Sequence, residues 1–262
     1  MNLPIQLIST DFDGTIFAEF ENPPIPRELQ EAIGHLQRQG AKWVINTGRD
    51  MSSLMEALAR SRIQIQPDYL VLVEREIHIR DGIRYTSLDH WNQACALAHE
   101  EVFEQVRVDL PQLTDWINRR FNATVYEDPY SPFCLIASNN DDADTIHEYL
   151  NDYCRTVPHL VVMRNDVYAR LSHEDYNKGT ALAELSSMLG VKTEHVFAAG
   201  DHLNDLPMLL TRFAAMIAAP SNAIPQVKSA IQRQQGYLSK FPHGTGTAEA
   251  LVFYLNKCKS KE

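Results

Sequence analysis

The chain has 262 residues, of which 44% are hydrophobic and 22% charged, as in an ordinary soluble globular protein. Its formal net charge of -10 argues against a nucleic-acid backbone or an anionic membrane as the main partner. No apolar run approaches the roughly 20 residues that span a bilayer, and the length suffices for one large domain or two smaller ones.

The four cysteines are scattered, with no spacing that would suit zinc, so we interpret them as reduced thiols. The N-terminus has no basic segment followed by a long apolar core, which argues against a secretory signal. Together these features predict a cytoplasmic protein.

The first part of the chain alternates strand and helix signals. Apolar runs at 5–9, 42–46 and 69–73 predict short buried strands, and periodic apolar residues predict helices after Pro26 and after Arg49. This alternation is typical of a parallel sheet flanked by helices.

From about residue 77 the pattern changes. It predicts a hairpin over 77–85, then two helical stretches, two strands, a further helix and a second hairpin over 159–171. Runs of adjacent strands separated by helices favour a separate α+β module, inserted into the first domain.

The alternating pattern returns after Lys178, with a helix that ends at Gly190 and strands at 195–199 and 214–218. The sequence therefore predicts an α/β protein with a Rossmann-like parallel-sheet core and an inserted α+β domain. The predicted core contains residues 1–82 and 173–262, and the predicted inserted domain contains residues 83–172.

Two carboxylates, Asp11 and Asp13, follow the first predicted strand in the run Thr-Asp-Phe-Asp-Gly-Thr. Two residues apart at the end of a strand, they point to the same side of the backbone. Like charges this close raise each other's pKa unless a cation lies between them. The pair therefore indicates a catalytic site, with an ordinary Asx turn as the alternative for this hexapeptide taken alone.

Three further polar clusters lie at or just beyond the ends of predicted elements. They are Thr47 with Gly48, Lys178, and Asp201 with Asn204 and Asp205. Singly, each has an ordinary explanation as a turn, a solvated lysine or a helix cap. Ligands of open parallel sheets bind beyond the carboxyl ends of the strands, where these clusters can meet. Carboxylates without Cys or His favour Mg²⁺ over zinc.

The four clusters resemble, in order, the motifs of the haloacid dehalogenase-like superfamily of phosphohydrolases. Residues 11–15 match its DxDGT signature, and Thr47 in Asn-Thr-Gly-Arg stands at its second-motif Ser/Thr. Lys178 matches its third-motif lysine, and residues 200–205 match its GDxxND motif. The insertion lies between the second and third motifs, as in members with an αβ cap there, the Cof-like and sucrose-phosphate phosphatase-like branch.

This resemblance implies a Mg²⁺-dependent phosphatase. Asp11 would attack phosphorus to give an aspartyl-phosphate, and Asp13 would protonate the leaving oxygen and then deprotonate water. Mg²⁺ would be held by Asp11, the backbone carbonyl of Asp13 and Asp201, with Asp205 in support.

The resemblance also implies that Thr47, Gly48 and Lys178 bind the phosphoryl group, with Asn204 in a supporting role. The cap is expected to close over the active site and to contact the leaving group of a small phosphorylated metabolite.

Substrate specificity is expected from Arg49 and from Arg164, Tyr168 and Arg170 in the last predicted hairpin, although strand alternation lets only some of these face a substrate. Residues 74–77, Glu-Arg-Glu-Ile, stand where many relatives carry an Asn-Gly or similar small turn, which leaves the hinge geometry open.

The run Asp-His-Trp at residues 89–91 resembles the sucrose-phosphate phosphatase branch and favours a sugar phosphate as substrate. A sugar phosphomutase of the same superfamily is the second hypothesis, and a non-catalytic phosphometabolite-binding protein is the third. The sequence gives no indication of the oligomeric state.

Overall fold

The computed structural model describes residues 3–259, and the chain divides into two compact units. The core unit contains the chain up to Leu88 and from Lys178 onward, and the inserted unit is Asp89–Asn177. The predicted α/β class, with a parallel-sheet core and an inserted α+β module, is confirmed.

Within the described residues the strands are β1 (Leu7–Thr10), β2 (Lys42–Asn46), β3 (Tyr69–Leu72), β4 (Glu76–Asp81), β5 (Arg84–Ser87), β6 (Ala123–Asp128), β7 (Ser131–Ala137), β8 (Leu160–Asn165), β9 (Tyr168–His173), β10 (Val196–Ala199), β11 (Met216–Ala219) and β12 (Tyr237–Leu238). The helices are α1 (Arg27–Arg38), α2 (Met51–Ser61), α3 (Asp89–Val106), α4 (Leu110–Asn118), α5 (Asn140–Cys154), α6 (Lys178–Leu189), α7 (Pro225–Arg233) and α8 (His243–Lys259). No helix among residues 3–259 is long and apolar enough to cross a membrane.

The core unit is built on one sheet of eight strands, in the order β12-β11-β10-β1-β2-β3-β4-β5. The pairs from β12 to β3 are parallel, and β4 and β5 join antiparallel at one edge. Strands β1, β10 and β11 are buried along their whole length, as expected of parallel strands covered on both faces.

The strand order places the ends of three central strands side by side. Strand β1 pairs with β10 on one side and β2 on the other, so that Thr10 lies opposite both Ala199 and Ile45. Strands β2 and β3 lie on one side of β1, and β10, β11 and β12 lie on the other. The strand order therefore reverses at β1, and open α/β sheets bind ligands at such a topological switch point. The loops after these strands carry Asp11, Asp201 and Thr47.

The hairpin of β4 and β5 belongs to the core sheet, although the sequence assigned its second strand to the inserted domain. Strand β4 pairs antiparallel with β3 from Leu72 to Tyr69, and β5 extends this edge. The division therefore lies after Leu88 and after Asn177, against the predicted positions after residues 82 and 172. Hairpin signals show that two strands pair with each other, but not which strand pairs with their outer edge.

The inserted unit contains an antiparallel sheet in the order β6-β7-β9-β8. One face of this sheet packs with residues of α3, α4 and α5 in an apolar core of its own, which includes Phe133, Leu171 and Ile146. The predicted final hairpin of this region is β8 and β9, paired from Leu160–His173 to Asn165–Tyr168.

Candidate active site

Lys178 lies at the centre of the polar cluster at the switch point. Its Nζ is 2.6 Å from Oδ1 of Asp11 and 2.6 Å from Oδ1 of Asp205, and its side chain has no solvent exposure. Helix α6 begins at Lys178, and the backbone carbonyl of this residue accepts a hydrogen bond from Nδ2 of Asn46 at 2.9 Å. A buried ammonium is tolerated only when it is paired in this way.

The charges around this lysine are unbalanced. Burial alone would lower the pKa of Lys178, but Asp11 and Asp205, with a contribution from Glu74, raise it above its ordinary value. Burial and the charge of Asp205 raise the pKa of Asp11 well above its usual range, against the opposing effect of Lys178. Burial, followed by Asp205, raises the pKa of Asp201 to about 7. Three carboxylates thus share one ammonium, which favours binding of a further cation.

The carboxylates fit a small hard cation. Asp11, Asp201 and Asp205 each offer an oxygen, and these atoms lie within 4.8 Å of one another. An all-oxygen donor set suits Mg²⁺ better than zinc.

Asp205 differs from the other two carboxylates in how its oxygens are used. Its Oδ2 accepts the backbone N–H groups of Asp201 at 2.8 Å and of His202 at 2.9 Å, while its Oδ1 accepts from Lys178. Most of its acceptor capacity therefore holds the loop after β10 in place, and less is left for a cation.

Two glycines allow these carboxylates to approach. Gly14 has a φ of +75°, and a Cβ at this position would lie 2.4 Å from Oδ2 of Asp201. A Cβ at Gly200 would lie 2.4 Å from Cβ of Asp205. Larger residues at either position would displace a carboxylate of the cluster.

Arg49 holds the second carboxylate of the first motif. Its Nε donates to Oδ2 of Asp13 and its Nη2 to Oδ1, both at 2.7 Å, while Nη1 donates to Oγ of Ser53 at 2.9 Å. The hydrogen bonds that Arg49 donates to Asp13 raise the pKa of Arg49 above its ordinary value, against the effect of burial. The guanidinium also lies 5.5 Å from the ring centroid of Phe12, so Arg49 fixes the orientation of the Asp13 carboxylate.

Thr47 is buried at the end of β2, and its hydroxyl is already oriented. The Oγ1 atom accepts the backbone N–H of Arg49 at 3.1 Å. Because this bond uses a lone pair, the hydroxyl hydrogen can still be donated to an oxygen of a ligand. This is the donor that a phosphoryl-binding residue needs.

The structure adds residues outside the four motif clusters, among them Asn222 in the run 218–223, which resembles a further loop of the superfamily. Oε1 of Glu74 accepts from Nδ2 of Asn204 at 2.9 Å, and the departure of residues 74–77 from the usual small turn was the sequence signal for it. Nδ2 of Asn222 donates to the carbonyl of Gly14 at 2.8 Å, and the backbone N–H of His243 donates to Oδ1 of Asn222 at 2.7 Å. No motif pointed to His243.

The three specificity candidates of the inserted unit lie on different faces of its sheet. Arg164 points to the helix-covered face, where it is paired with Asp144 and donates to Oδ1 of Asn140 at 3.1 Å. Tyr168 and Arg170 lie on the opposite face, and the Tyr168 side chain is exposed. Arg164 is therefore engaged within its own unit, and Arg170 also forms an ion pair there, with Asp128 at 3.9 Å. Substrate contact by Tyr168 and Arg170 stays a prediction.

Known proteins resemble this chain in sequence over most of its length. The family model for sucrose-6F-phosphate phosphohydrolase matches residues 4–255. A 5-amino-6-(5-phospho-D-ribitylamino)uracil phosphatase, YcsE of Bacillus subtilis (strain 168), is 26% identical over 243 residues, covering 87% of this chain and 88% of that protein.

Two solved structures share the fold. A sucrose-phosphatase from Synechocystis sp. PCC6803, in complex with sucrose and phosphate, has a TM-score of 0.68 at 18% identity, covering 95% of this chain and 98% of that one. A haloacid dehalogenase-like hydrolase from B. subtilis has a TM-score of 0.65 at 17% identity, covering 95% and 99%. The chain belongs to the sucrose-6F-phosphate phosphohydrolase family of the haloacid dehalogenase-like superfamily, and it is a phosphatase.

Proposed function

We propose that this protein hydrolyses a small phosphomonoester, a sugar phosphate, through an aspartyl-phosphate intermediate and with Mg²⁺ as cofactor. The observation that carries the proposal is the buried ammonium of Lys178 between Asp11 and Asp205, beside the Asp201 carboxylate. Such a site neutralises a nucleophilic carboxylate and an incoming phosphoryl group at the same point.

Asp11 is the nucleophile in this mechanism. Lys178 holds Oδ1, which leaves Oδ2 to attack phosphorus. The new bond joins Oδ2 to phosphorus while the bond from phosphorus to the leaving oxygen breaks, and the Asp13 carboxyl gives its proton to that oxygen. The Asp13 carboxylate then takes a proton from water, whose oxygen displaces Oδ2 from phosphorus and releases phosphate.

Asp11, Asp201 and the backbone carbonyl of Asp13 would hold Mg²⁺, and Asp205 would support them through the loop that it fixes. When bound, the cation would supply the charge that lets an anionic carboxylate approach an anionic phosphate. Thr47 donates its hydroxyl hydrogen to a phosphoryl oxygen, and the loop at Gly48 lets the phosphoryl group approach the backbone.

A sugar phosphate is the substrate class that the similarities favour. The matching family is described by sucrose-6F-phosphate, and the sucrose-phosphatase of similar fold was solved with sucrose and phosphate. In the inserted unit, Tyr168 and Arg170 offer hydrogen-bonding groups suited to the hydroxyls of such a leaving group.

The test is phosphate release from a panel of sugar, polyol, nucleotide and cofactor phosphates, with Mg²⁺ and with a chelator in its place. We expect Mg²⁺-dependent release and the highest kcat/KM for a sugar phosphate. Release from none of the esters would overturn the hydrolytic proposal. Positional isomers of a hexose phosphate without free phosphate would instead identify a phosphomutase.

The stabilisation of the protein by Mg²⁺ is expected to increase with pH. The pKa of Asp201 is raised from 3.8 to about 7 in the metal-free chain, so this carboxyl binds its proton more tightly in the folded than in the unfolded state. Its contribution to metal-free stability is therefore complete at low pH and is lost as the pH rises through about 7. Mg²⁺ competes with that proton, and its effect should be largest where the proton is absent.

The measurement is the difference in Tm between Mg²⁺ and chelator, which should be larger at about pH 8 than at about pH 5. In Asp201→Asn the difference should be small at both values. A Mg²⁺ effect that is equal at the two pH values in the unmodified protein would contradict this role of Asp201.

Asp13→Asn is expected to separate the two chemical steps. An alkyl phosphate should lose about 10²- to 10⁴-fold in kcat, since its leaving oxygen needs a proton. With p-nitrophenyl phosphate, whose phenolate leaves unprotonated, the variant should release one equivalent of nitrophenol rapidly and then slow down, because activation of water also needs Asp13.

Rapid-mixing measurements on the same variant with both esters test this. The alkyl ester should give no burst, and it acts as the internal control. Equal losses for both esters in the first turnover would show that Asp13 is not the acid.

A further inference from the structure

The turn between β3 and β4 has an unusual backbone for its sequence. The N–H of Arg75 donates to the carbonyl of Leu72 at 2.9 Å, and the two central residues both have positive φ, +44° at Val73 and +70° at Glu74. Turns of this kind normally carry Asn-Gly, because other side chains are disfavoured in the left-handed region and a β-branched residue most of all. A strained turn persists only where its surroundings hold it in place.

This turn is fastened to the loop that carries Thr47. The N–H of Glu74 donates to the carbonyl of Thr47 at 2.9 Å, and the N–H of Val73 donates to the carbonyl of Arg49 at 3.0 Å. Both donors depend on the left-handed backbone, since it directs the N–H groups of the turn to the neighbouring loop. The strained turn therefore fixes the position of the proposed phosphoryl-binding hydroxyl.

The side chain of Glu74 reaches a second loop of the site. It is buried, with 7% of the residue exposed, and its Oε1 accepts from Nδ2 of Asn204 at 2.9 Å. It passes Gly48 so closely that a Cβ there would lie 3.2 Å from Oε1. One residue thus links the loop after β2 to the loop after β10.

The bond to Glu74 determines which way the Asn204 amide points. A carboxylate can only accept, so Nδ2 must face Glu74 and Oδ1 must face away. Oδ1 is buried, and it has no hydrogen-bond partner within the described part of the chain. A buried acceptor without a donor is unfavourable, which makes this oxygen a binding group for an O–H of a ligand.

We propose that Glu74 is a positioning residue of this active site. Its backbone holds the Thr47 loop, and its carboxylate fixes the Asn204 amide so that Oδ1 is offered to a hydroxyl of the substrate. The inference rests on the proposed function, and it adds a residue that acts through Thr47 and Asn204 rather than on the reacting atoms.

The test compares Glu74→Ala, Glu74→Gln, Asn204→Ala and the double variant Glu74→Ala/Asn204→Ala. Glu74→Ala and Asn204→Ala should each lower kcat/KM about 10- to 100-fold, as expected when positioning groups are lost. Because both substitutions remove the same contact, the kcat/KM of the double variant should be no lower than that of the less active single variant. Glu74→Gln, which still accepts through Oε1, should stay within about 5-fold of the unmodified protein.

Glu74→Gly separates positioning from folding. Glycine adopts the left-handed backbone without strain, so this variant should have a higher Tm than Glu74→Ala while losing as much kcat/KM. A residue with only a folding role would move both quantities in the same direction. Glu76→Ala, a carboxylate removed two positions further along, is the matched control and should leave both unchanged.

If the loss in kcat/KM of the double variant equals the product of the two single losses, Glu74 does not act through Asn204. A Glu74→Gln protein as impaired as Glu74→Ala would show that charge, not orientation, matters. The side-chain amide signal of Asn204 in NMR tests the contact without turnover: it should be protected from hydrogen exchange in the unmodified protein and lose protection in Glu74→Ala. Unchanged protection of this amide in Glu74→Ala would refute the positioning role of Glu74. A protein that hydrolyses none of the esters would refute only the proposed function, because the NMR measurement does not depend on turnover.

Discussion

Asp11→Asn is expected to abolish turnover and to leave the fold intact. The amide oxygen of asparagine is a poor nucleophile, so kcat should fall by at least about three orders of magnitude for every ester. Stability should not fall, because three carboxylates share one ammonium in the unmodified site and the variant removes one of these charges. The measurement is steady-state phosphate release, combined with the Tm in metal-free buffer.

The control is Asp81→Asn, which makes the same chemical change at an exposed position at the end of β4. It should leave both kcat and Tm unchanged. The mass of the Asp11→Asn protein must be verified, because deamidation would regenerate the aspartate. Near-normal turnover in the verified protein would exclude the covalent mechanism.

The sequence predicted the elements around the site because the signals there are local. Strand β1 is a short buried run, Leu7–Thr10, that Asp11 follows directly, and Lys178 stands at the start of a periodic helix. The rule that ligands bind at the carboxyl ends of parallel strands then brought Asp11, Thr47 and Asp201 to one edge, where the structure also places them. Their chemical roles remain predictions.

Two features required the folded structure. The edge of the core sheet extends to Ser87 because β4 pairs with β3, and the pattern of a hairpin does not specify that outer partner. Arg164 was a substrate candidate because it lies in the last predicted hairpin of the inserted domain, but its strand position turns it to the helix-covered face, where Asp144 pairs with it. Successive side chains of a strand point to opposite faces of the sheet, and the sequence pattern alone did not define which face of β8 is buried.

Glu74 shows a third reason why sequence reasoning is incomplete. From the local sequence alone, a glutamate in a turn is expected to be exposed, and left-handed backbone is expected at glycine or asparagine. The structure buries the carboxylate and pairs it with Asn204, a residue distant in sequence. Long-range hydrogen bonds override local preference here, as they do where function requires a particular geometry.

Lys178→Met is expected to lose both activity and stability. The side chains are similar in length, but the variant leaves the buried carboxylates of Asp11 and Asp205 without their ammonium. Breaking a buried pair from one side costs about 3–5 kcal/mol of unfolding free energy. Turnover should fall by at least about 10³-fold, since the charge on the nucleophile and on the phosphoryl group is no longer compensated. Denaturant unfolding and phosphate release measure the two effects.

Lys42→Met is the matched control, because Lys42 forms an ion pair with Asp68 at 3.3 Å with its own side chain 43% exposed. It should cost less than about 1 kcal/mol and leave turnover unchanged. Mg²⁺ should restore part of the stability of Lys178→Met, since it supplies a cation to the same carboxylates, but not its turnover. A second substitution, Asp205→Asn, should also restore part of the stability by removing one of the unpaired charges. If Lys178→Met were as stable as the unmodified protein in metal-free buffer, the ammonium would not be what holds these carboxylates together.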